Sequence, residues 1–327
     1  MEKLIAAFPS HLETAMEIGR KSNFAAPKNT VKNVLIIGLG GSGIGGSIVT
    51  QIISGEISVP VNSLKSYFIP NWVDENTLVI CCSYSGNTEE TLIALEQAIK
   101  KGAEVAAITS GGTLLDICKK NKLNHIVIPG GEPPRTMLGF SMTSLFFVFA
   151  NYGLISNRFI TSFEQAITLI KTQSQEIKDE AKALAKKLLG TTPVLYAANP
   201  YEGVLVRWRQ QINENAKMLC WHHVIPEMNH NELVGWRDKN NNLAVVILRN
   251  SGDYERIQKR IEINKEIISK YTSNITEVYS KGDDMISNSL YLIHLGDWLS
   301  LYLSDMKEMD PIEVTVIDYL KSQLSNF

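Results

Sequence analysis

The chain has 327 residues, 44% of them hydrophobic and 20% charged, with a formal net charge of −2. That balance belongs to a globular chain with room for two ordinary domains, and it excludes a disordered polypeptide or one built around a basic nucleic-acid surface. Its four cysteines (Cys81, Cys82, Cys118, Cys220) form no C-x-x-C pair, which argues against a disulfide framework or thiolate zinc site and predicts reduced core thiols in a cytoplasmic protein.

The opening "MEKLIAAFPSHLETAMEIGRK" has no basic leader, apolar core or small-residue cleavage pattern, so it is expected to be a helix of the mature fold rather than a signal peptide. "NVLIIGL" is a continuous β-branched run, as buried parallel strands are, and "GIGGSIVTQIIS" follows with helical spacing. "TLVICCSYSG" is a second buried run ending in a glycine turn. The helix predicted over "NTEETLIALEQAIKKG" carries Leu92, Leu95 and Ile99 on one face and a terminal glycine. "AEVAAITSGG" and "HIVIPGG" repeat the strand-then-glycine pattern. "MTSLFFVFANYGLI", Met142 to Ile155, is shorter than the roughly 20 residues of a spanning helix and reads as a buried one.

The rhythm then returns. A helical stretch from Arg158 to Leu189 leads to the strand "TPVLYAAN" and the helix "YEGVLVRWRQQINENAKML". "NLAVVILRN", the amphipathic "DYERIQKRIEINKEIISKY" and "NITEVYSKG" give strand, helix and strand, and two helical segments end the chain. Alternating strands and helices predict an α/β fold of two domains, each a parallel β-sheet sandwiched by helices. The boundary is expected near residue 155, giving domains 1–155 and 156–327.

The glycines Gly38, Gly40 and Gly43 spell G-x-G-x-x-G after the first strand, the fingerprint of a dinucleotide site. Such a site wants an acid about 20 residues further on for the ribose. That region, "VPVNSLKSYFIP", has none, and Lys65 would at most favour a 2′-phosphate. A second loop, "SYSGNTEETL", ends the next strong strand and adds the hydroxyls of Ser83, Ser85 and Thr88. Unpaired amides at a helix start, backed by hydroxyls, suit one compact phosphate monoester. Gly41, Ser42, Ser83, Ser85 and Thr88 are therefore the candidate phosphate ligands, with helix capping as the other role open to the hydroxyls.

"GGSGIGGS", "SYSGNTEETL" and "ITSGG" resemble the sugar isomerase (SIS) domain. "GEPPRTMLG", "QQINENAKM", "PEMNHNELVGW" and "DPIEVTVIDYLKSQL" resemble the bifunctional phosphoglucose/phosphomannose isomerases, two-SIS-domain members of the phosphoglucose isomerase superfamily. The resemblance implies a cofactor-independent aldose–ketose isomerase acting on phosphorylated hexoses, through acid–base ring opening and a cis-enediolate. It puts the base on Glu214, ring opening on His230 reaching across a homodimer, the active-site arginine on Arg135 and a ring-opening lysine on Lys321. Val314 stands where a polar helper is expected two turns before Lys321, leaving Thr315 as the substitute.

Each residue also has a plain structural role open to it. Glu214 could be a surface acid paired with Lys217 or Arg207, His230 a loop histidine, Arg135 a helix-start cation and Lys321 a solvated one. Glu232 could orient His230 or cap the next segment. A metal site built from His222, His223, His230, Glu227 and Glu232 is disfavoured, because adjacent histidines on a strand face opposite ways. No cofactor, nucleic-acid or membrane partner is expected. Two other functions stand beside the isomerase: a non-catalytic SIS module that senses a sugar phosphate, and a nicotinamide-dependent oxidoreductase on the first glycine loop.

Overall fold

The computed structural model describes residues 1–324. By contact the chain divides into two compact units: one holds Ala6–Lys171 with Gly282–Asn288, the other Met1–Ile5, Thr172–Lys281 and the chain from Ser289 onward.

After a short helix α1 (Glu2–Ala6) and helix α2 (Phe8–Lys21), the first unit alternates β1 (Asn33–Ile37), α3 (Gly40–Ile53), β2 (Val61–Leu64), β3 (Thr77–Cys82), α4 (Glu89–Lys100), β4 (Glu104–Thr109), α5 (Gly112–Asn121) and β5 (Asn124–Val127). Helices α6 (Leu138–Asn151) and α7 (Phe159–Thr172) complete it. All five strands are parallel, in the order β2-β1-β3-β4-β5. Every residue of β3 is buried, as is Val34–Ile37 of β1, because helices cover both faces of the sheet. On one face Leu35, Ile37, Val79 and Cys81 pack with Ala94 and Leu95 of α4 and Leu114 of α5. Cys81, Cys82 and Cys118 are buried free thiols.

The apolar segment expected at Met142–Ile155 is a helix that starts earlier, at Leu138, and stops at Asn151, with Gly153 in a left-handed conformation just beyond. Every residue from Leu138 to Phe149 is buried. Helix α2 lies against it so closely that a Cβ on Gly19 would stand 2.0 Å from Phe147. Helix α2 thus packs within the first unit.

The helix expected from Arg158 to Leu189 is two helices, α7 and α8 (Ser174–Leu188), parted at Gln173. The apolar stripe runs through Phe163, Ala166, Ile167 and Ile170 and resumes at Ile177, two turns on, so its period bears no mark of the break. The second unit continues with β6 (Thr192–Ala198), α9 (Glu202–Ala216), β7 (Trp221–Ile225), β8 (Leu243–Arg249), α10 (Glu255–Ile268), β9 (Ile275–Tyr279), α11 (Met285–Met306) and α12 (Thr315–Leu324). Its four strands are parallel, in the order β7-β6-β8-β9. Tyr196, Ile225, Met228, Trp236 and Ile247 form part of one core against Ile261 and Ile268 of α10. No described helix is long and apolar enough to cross a membrane.

Two histidines of this unit are held neutral. Burial, with Lys178 adding to it, pushes His294 down to about 3, and its Nε2 accepts a hydrogen bond from Trp298 Nε1 at 3.1 Å. Burial, aided by Arg209, lowers His222 to about 4. The unfolded chain takes up these protons near pH 6.5 and the folded one only near 3 to 4, so stability falls as pH drops through that window. Urea unfolding between pH 7 and pH 4 should show this loss, and His294→Phe should lessen its slope.

Candidate active site

Between β1 and β3 the strand order reverses: the chain leaves β1 toward β2 on one side, then returns across the sheet to β3. Such a switch point opens a crevice at the carboxyl ends of the strands, where ligands of open α/β sheets bind. Both glycine loops lie there. The first runs from β1 into α3 and the second from β3 into α4, and neither helix start has a side-chain cap. Thr88, at the cap position of α4, does not cap it: its hydroxyl pairs with that of Ser83 at 2.8 Å. Ser83 Oγ also accepts from Gly86 N at 3.1 Å, and Ser85 Oγ accepts from Asn87 N at 3.2 Å. Ser42 Oγ accepts from Tyr84 N at 3.0 Å and so ties the two loops together.

The "ITSGG" segment buttresses the second loop from behind. Gly86 has φ +70°, and a Cβ there would meet Gly111 O at 1.8 Å, so only glycine fits. The third glycine of the fingerprint is needed for packing, since a Cβ on Gly43 would lie 2.2 Å from Gly38 O. Glu89 and Glu90 open α4, and both, Glu90 first, raise the phenol pKa of half-buried Tyr67.

Arg135 sits in a 3-10 turn, Pro134–Thr136, ahead of α6 rather than at its start. It is 5% exposed, which removes the reading of a solvated helix-start cation. The first turn of α3 abuts this turn: a Cβ on Gly41 would stand 3.2 Å from Pro134 O and 3.4 Å from Arg135 Cα. Gly41, Ser42 and Ser83 thus border one crevice with Pro134, the loop bearing Ser85 and Thr88 continues from Ser83, and the backbone of the Arg135 turn lies against Gly41.

Glu214 lies half-buried on the last turn of α9. The expected alternative partners make buried or main-chain contacts of their own. Arg207 makes a two-pronged pair with Asp297, Nε–Oδ1 3.1 Å and Nη2–Oδ2 2.9 Å. Lys217 Nζ donates to the carbonyl oxygens of Glu214 (2.6 Å) and Glu313 (2.7 Å). Glu214 opens onto a groove of about 340 Å³ shared with Lys217, Val314, Val316 and Ile317. Thr315 Oγ1 is taken by Glu313. Lys321 stands on α12, none of whose described residues is buried.

His230 is exposed at the end of a 3-10 turn, Glu227–His230, that follows β7. Glu214 precedes β7 and His230 follows it, so the two lie at opposite ends of the sheet, separated by about 15 Å of strand. The turn is firmly held by groups that the sequence did not single out. Asn229 Nδ2 donates to Asn264 Oδ1 (2.7 Å), and Arg260 donates to Asn229 Oδ1 (3.3 Å). Glu232 neither caps nor orients the histidine: its carboxylate accepts from Tyr196 Oη (2.5 Å) and Trp221 Nε1 (3.0 Å). Among the described residues no three His, Cys, Asp or Glu side chains gather as metal ligands would.

The SIS domain model matches residues 29–151, and the bacterial phospho-glucose isomerase C-terminal SIS domain model matches residues 177–324. Together with the two parallel sheets these matches define an α/β protein of two SIS-type domains. More narrowly, the chain belongs to the bifunctional phosphoglucose/phosphomannose isomerase family. It is 36% identical to the Caldicellulosiruptor bescii protein of that name, over 97% of this chain and 96% of that one. The Thermoplasma acidophilum protein is also 36% identical, over 90% and 91%. In fold alone, the C-terminal domain of glucosamine-fructose-6-phosphate aminotransferase from Francisella tularensis is similar, with TM-score 0.77 over 96% of this chain and 97% of that one at 13% identity.

Helix α9, which carries Glu214, depends on the Arg207–Asp297 pair, whose side chains are 1% and 6% exposed. Asp297→Ala leaves the guanidinium buried without its counter-ion and should cost about 3–5 kcal/mol in urea unfolding. Replacing both partners by Met and Leu should cost less than the single change.

Proposed function

We propose that the protein is a cofactor-independent isomerase interconverting glucose 6-phosphate, and mannose 6-phosphate, with fructose 6-phosphate. The observation that carries this is the meeting of two uncapped helix starts at the switch point, tied by Ser42 and Tyr84, in a chain of this family. Fixed amides and the positive ends of two helix dipoles favour a doubly charged phosphate and need no reorganisation to receive it. Gly41 and Ser42 are assigned to it from the first loop, and Ser83, Ser85 and Thr88 from the second.

With the phosphate anchored, His230 gives a proton to the ring oxygen as the C1–O5 bond breaks, the anomeric hydroxyl gives up its proton to water, Lys321 assists, and the sugar opens to its free carbonyl form. The Glu214 carboxylate then takes the proton from C2 of the aldose and returns it to C1, while the hydroxyl proton passes from O2 to O1, through an enediolate whose negative charge Arg135 is assigned to stabilise. Removing the C2 proton erases the configuration at that carbon. Both epimers then reach one ketose, provided that the site does not clamp the C2 hydroxyl in one orientation.

The separation of Glu214 from His230 supports a homodimer. A hexose phosphate is too short to meet both ends of one sheet, so the histidine serving Glu214 comes from a second copy of the chain.

Glu214→Gln should lower turnover of fructose 6-phosphate by about 10²–10⁴-fold in EDTA-treated protein, with both aldose products followed by NMR. Wild-type protein that binds the sugar and forms neither product would favour the sensing module instead. For the shared site, Glu214→Gln and His230→Ala chains, each inactive alone, should regain about a quarter of wild-type activity when refolded together, because half the dimers are mixed and each has one intact site. No recovery in demonstrated mixed dimers would show that both residues act within one chain.

A further inference from the structure

One residue of the crevice reaches all of its loops. Tyr84 N donates to Ser42 Oγ in the first turn of α3 at 3.0 Å. The Tyr84 carbonyl oxygen accepts from both the amide (3.0 Å) and hydroxyl (2.6 Å) of Ser110, at the end of β4. Its phenol oxygen accepts from Glu132 N at 3.0 Å, in the loop that leads through Pro133 and Pro134 to Arg135. This loop follows β5 and is otherwise exposed between Pro129 and Pro133, and Gly131 turns it at φ +99°. Beyond the tie, Thr136 N and Oγ1 both donate to Pro133 O, at 2.9 and 2.8 Å, so the turn bearing Arg135 moves as one piece with Pro133.

We propose that Tyr84 is a positioning residue that couples the phosphate loop to Arg135. Its main chain belongs to the anion site, and its side chain is the strut on the loop that delivers the guanidinium. A phosphate that orders the Ser83–Thr88 loop thereby also fixes where the cation stands relative to C1 and C2. The first turn of α3, against the Pro134–Arg135 backbone at Gly41, supplies the other side of the same mount. The inference rests on the reading of Arg135 as the cation facing the enediolate. Displacement of such a group by a fraction of an ångström lowers the rate of chemistry more than it weakens substrate binding.

The test is a double-mutant cycle of Tyr84→Phe and Arg135→Met. The phenylalanine keeps the ring and all main-chain hydrogen bonds of residue 84 and removes only the acceptor for Glu132 N. Tyr84→Phe should lower kcat for fructose 6-phosphate about tenfold, leave KM and inhibition by inorganic phosphate within about twofold, and weaken a five-carbon aldonate phosphate, an enediolate mimic, by the same factor as kcat. In the Arg135→Met background the same change should have no further effect, since the strut has nothing left to position. A Tyr84→Phe enzyme with wild-type kcat, one altered only in KM, or one whose full loss persists in the Arg135→Met background would overturn the inference. Wild-type turnover by Arg135→Met would instead overturn the reading of Arg135, and the inference with it.

Discussion

The site depends on one topological constraint: β1 and β3 are hydrogen-bonded neighbours, yet the chain leaves them toward opposite sides of the sheet. Their following loops cannot fill the space between them, and two helices begin at its rim. Backbone N–H groups in the first turn of a helix have no partner of their own. A side-chain cap would have satisfied some of them, and at both α3 and α4 it is missing. The hydroxyls that could cap are spent elsewhere, Ser42 on Tyr84 N and Thr88 on Ser83. Hydrogen bonds that in an ordinary fold would close the helix starts are used here to join the loops, and on the proposed reading the amides are left for the substrate's phosphate.

The two units carry different candidate residues. The first holds a buried arginine and two uncapped helix starts; the second holds an acid and a histidine at separate ends of its sheet. Placing an acid at a helix terminus needs a helix that does not move, and α9 is anchored by buried polar contacts as well as by packing. Besides Arg207–Asp297, Trp208 Nε1 donates to Leu292 O at 2.8 Å and Asn215 Nδ2 to Ser300 Oγ at 2.9 Å. Gly296 makes room for the indole, since a Cβ there would lie 2.4 Å from Trp208 Nε1. Buried groups of this kind add little net stability over apolar ones, but they fix rotation and register, because every misfit leaves a polar atom unpaired. The same logic holds the His230 turn, where Asn264 is buried beneath Asn229.

Much of this was legible in the sequence for a plain reason. Parallel strands covered on both faces read as unbroken apolar runs, and "NVLIIGL", "TLVICC" and "NLAVVILRN" are such runs. The edge strand β2 is "VNSL", exposed at its centre, and gives no such signal. The break at Gln173 is hidden because the apolar stripe keeps its phase across it. The turn bearing Arg135 is a single 3-10 turn between two prolines and a helix, too short for any periodicity to report. Tyr84 was invisible for another reason: its partners Ser42, Ser110 and Glu132 are 42, 26 and 48 residues away. Local pattern carries motifs, whereas a strut between motifs exists only once the sheet has brought them together.

The same distinction bears on the glycine fingerprint. Close packing of α3 on the turn after β1 makes the G-x-G-x-x-G pattern necessary whether the ligand is a dinucleotide or a single phosphate, as the clash of a Gly43 Cβ with Gly38 O shows. What separates the two ligands is the surroundings. A dinucleotide runs from the helix start toward the end of the second strand, where an acid meets the ribose. Here β2 ends at Leu64 with Lys65 beyond, and the space over α3 is closed in by Tyr84 from the second loop and by Pro134 against Gly41. On the proposed reading the glycines let a phosphate approach the backbone, and the neighbouring loops favour a compact one. The motif is therefore a statement about packing, and its functional content comes from the loop placed opposite it.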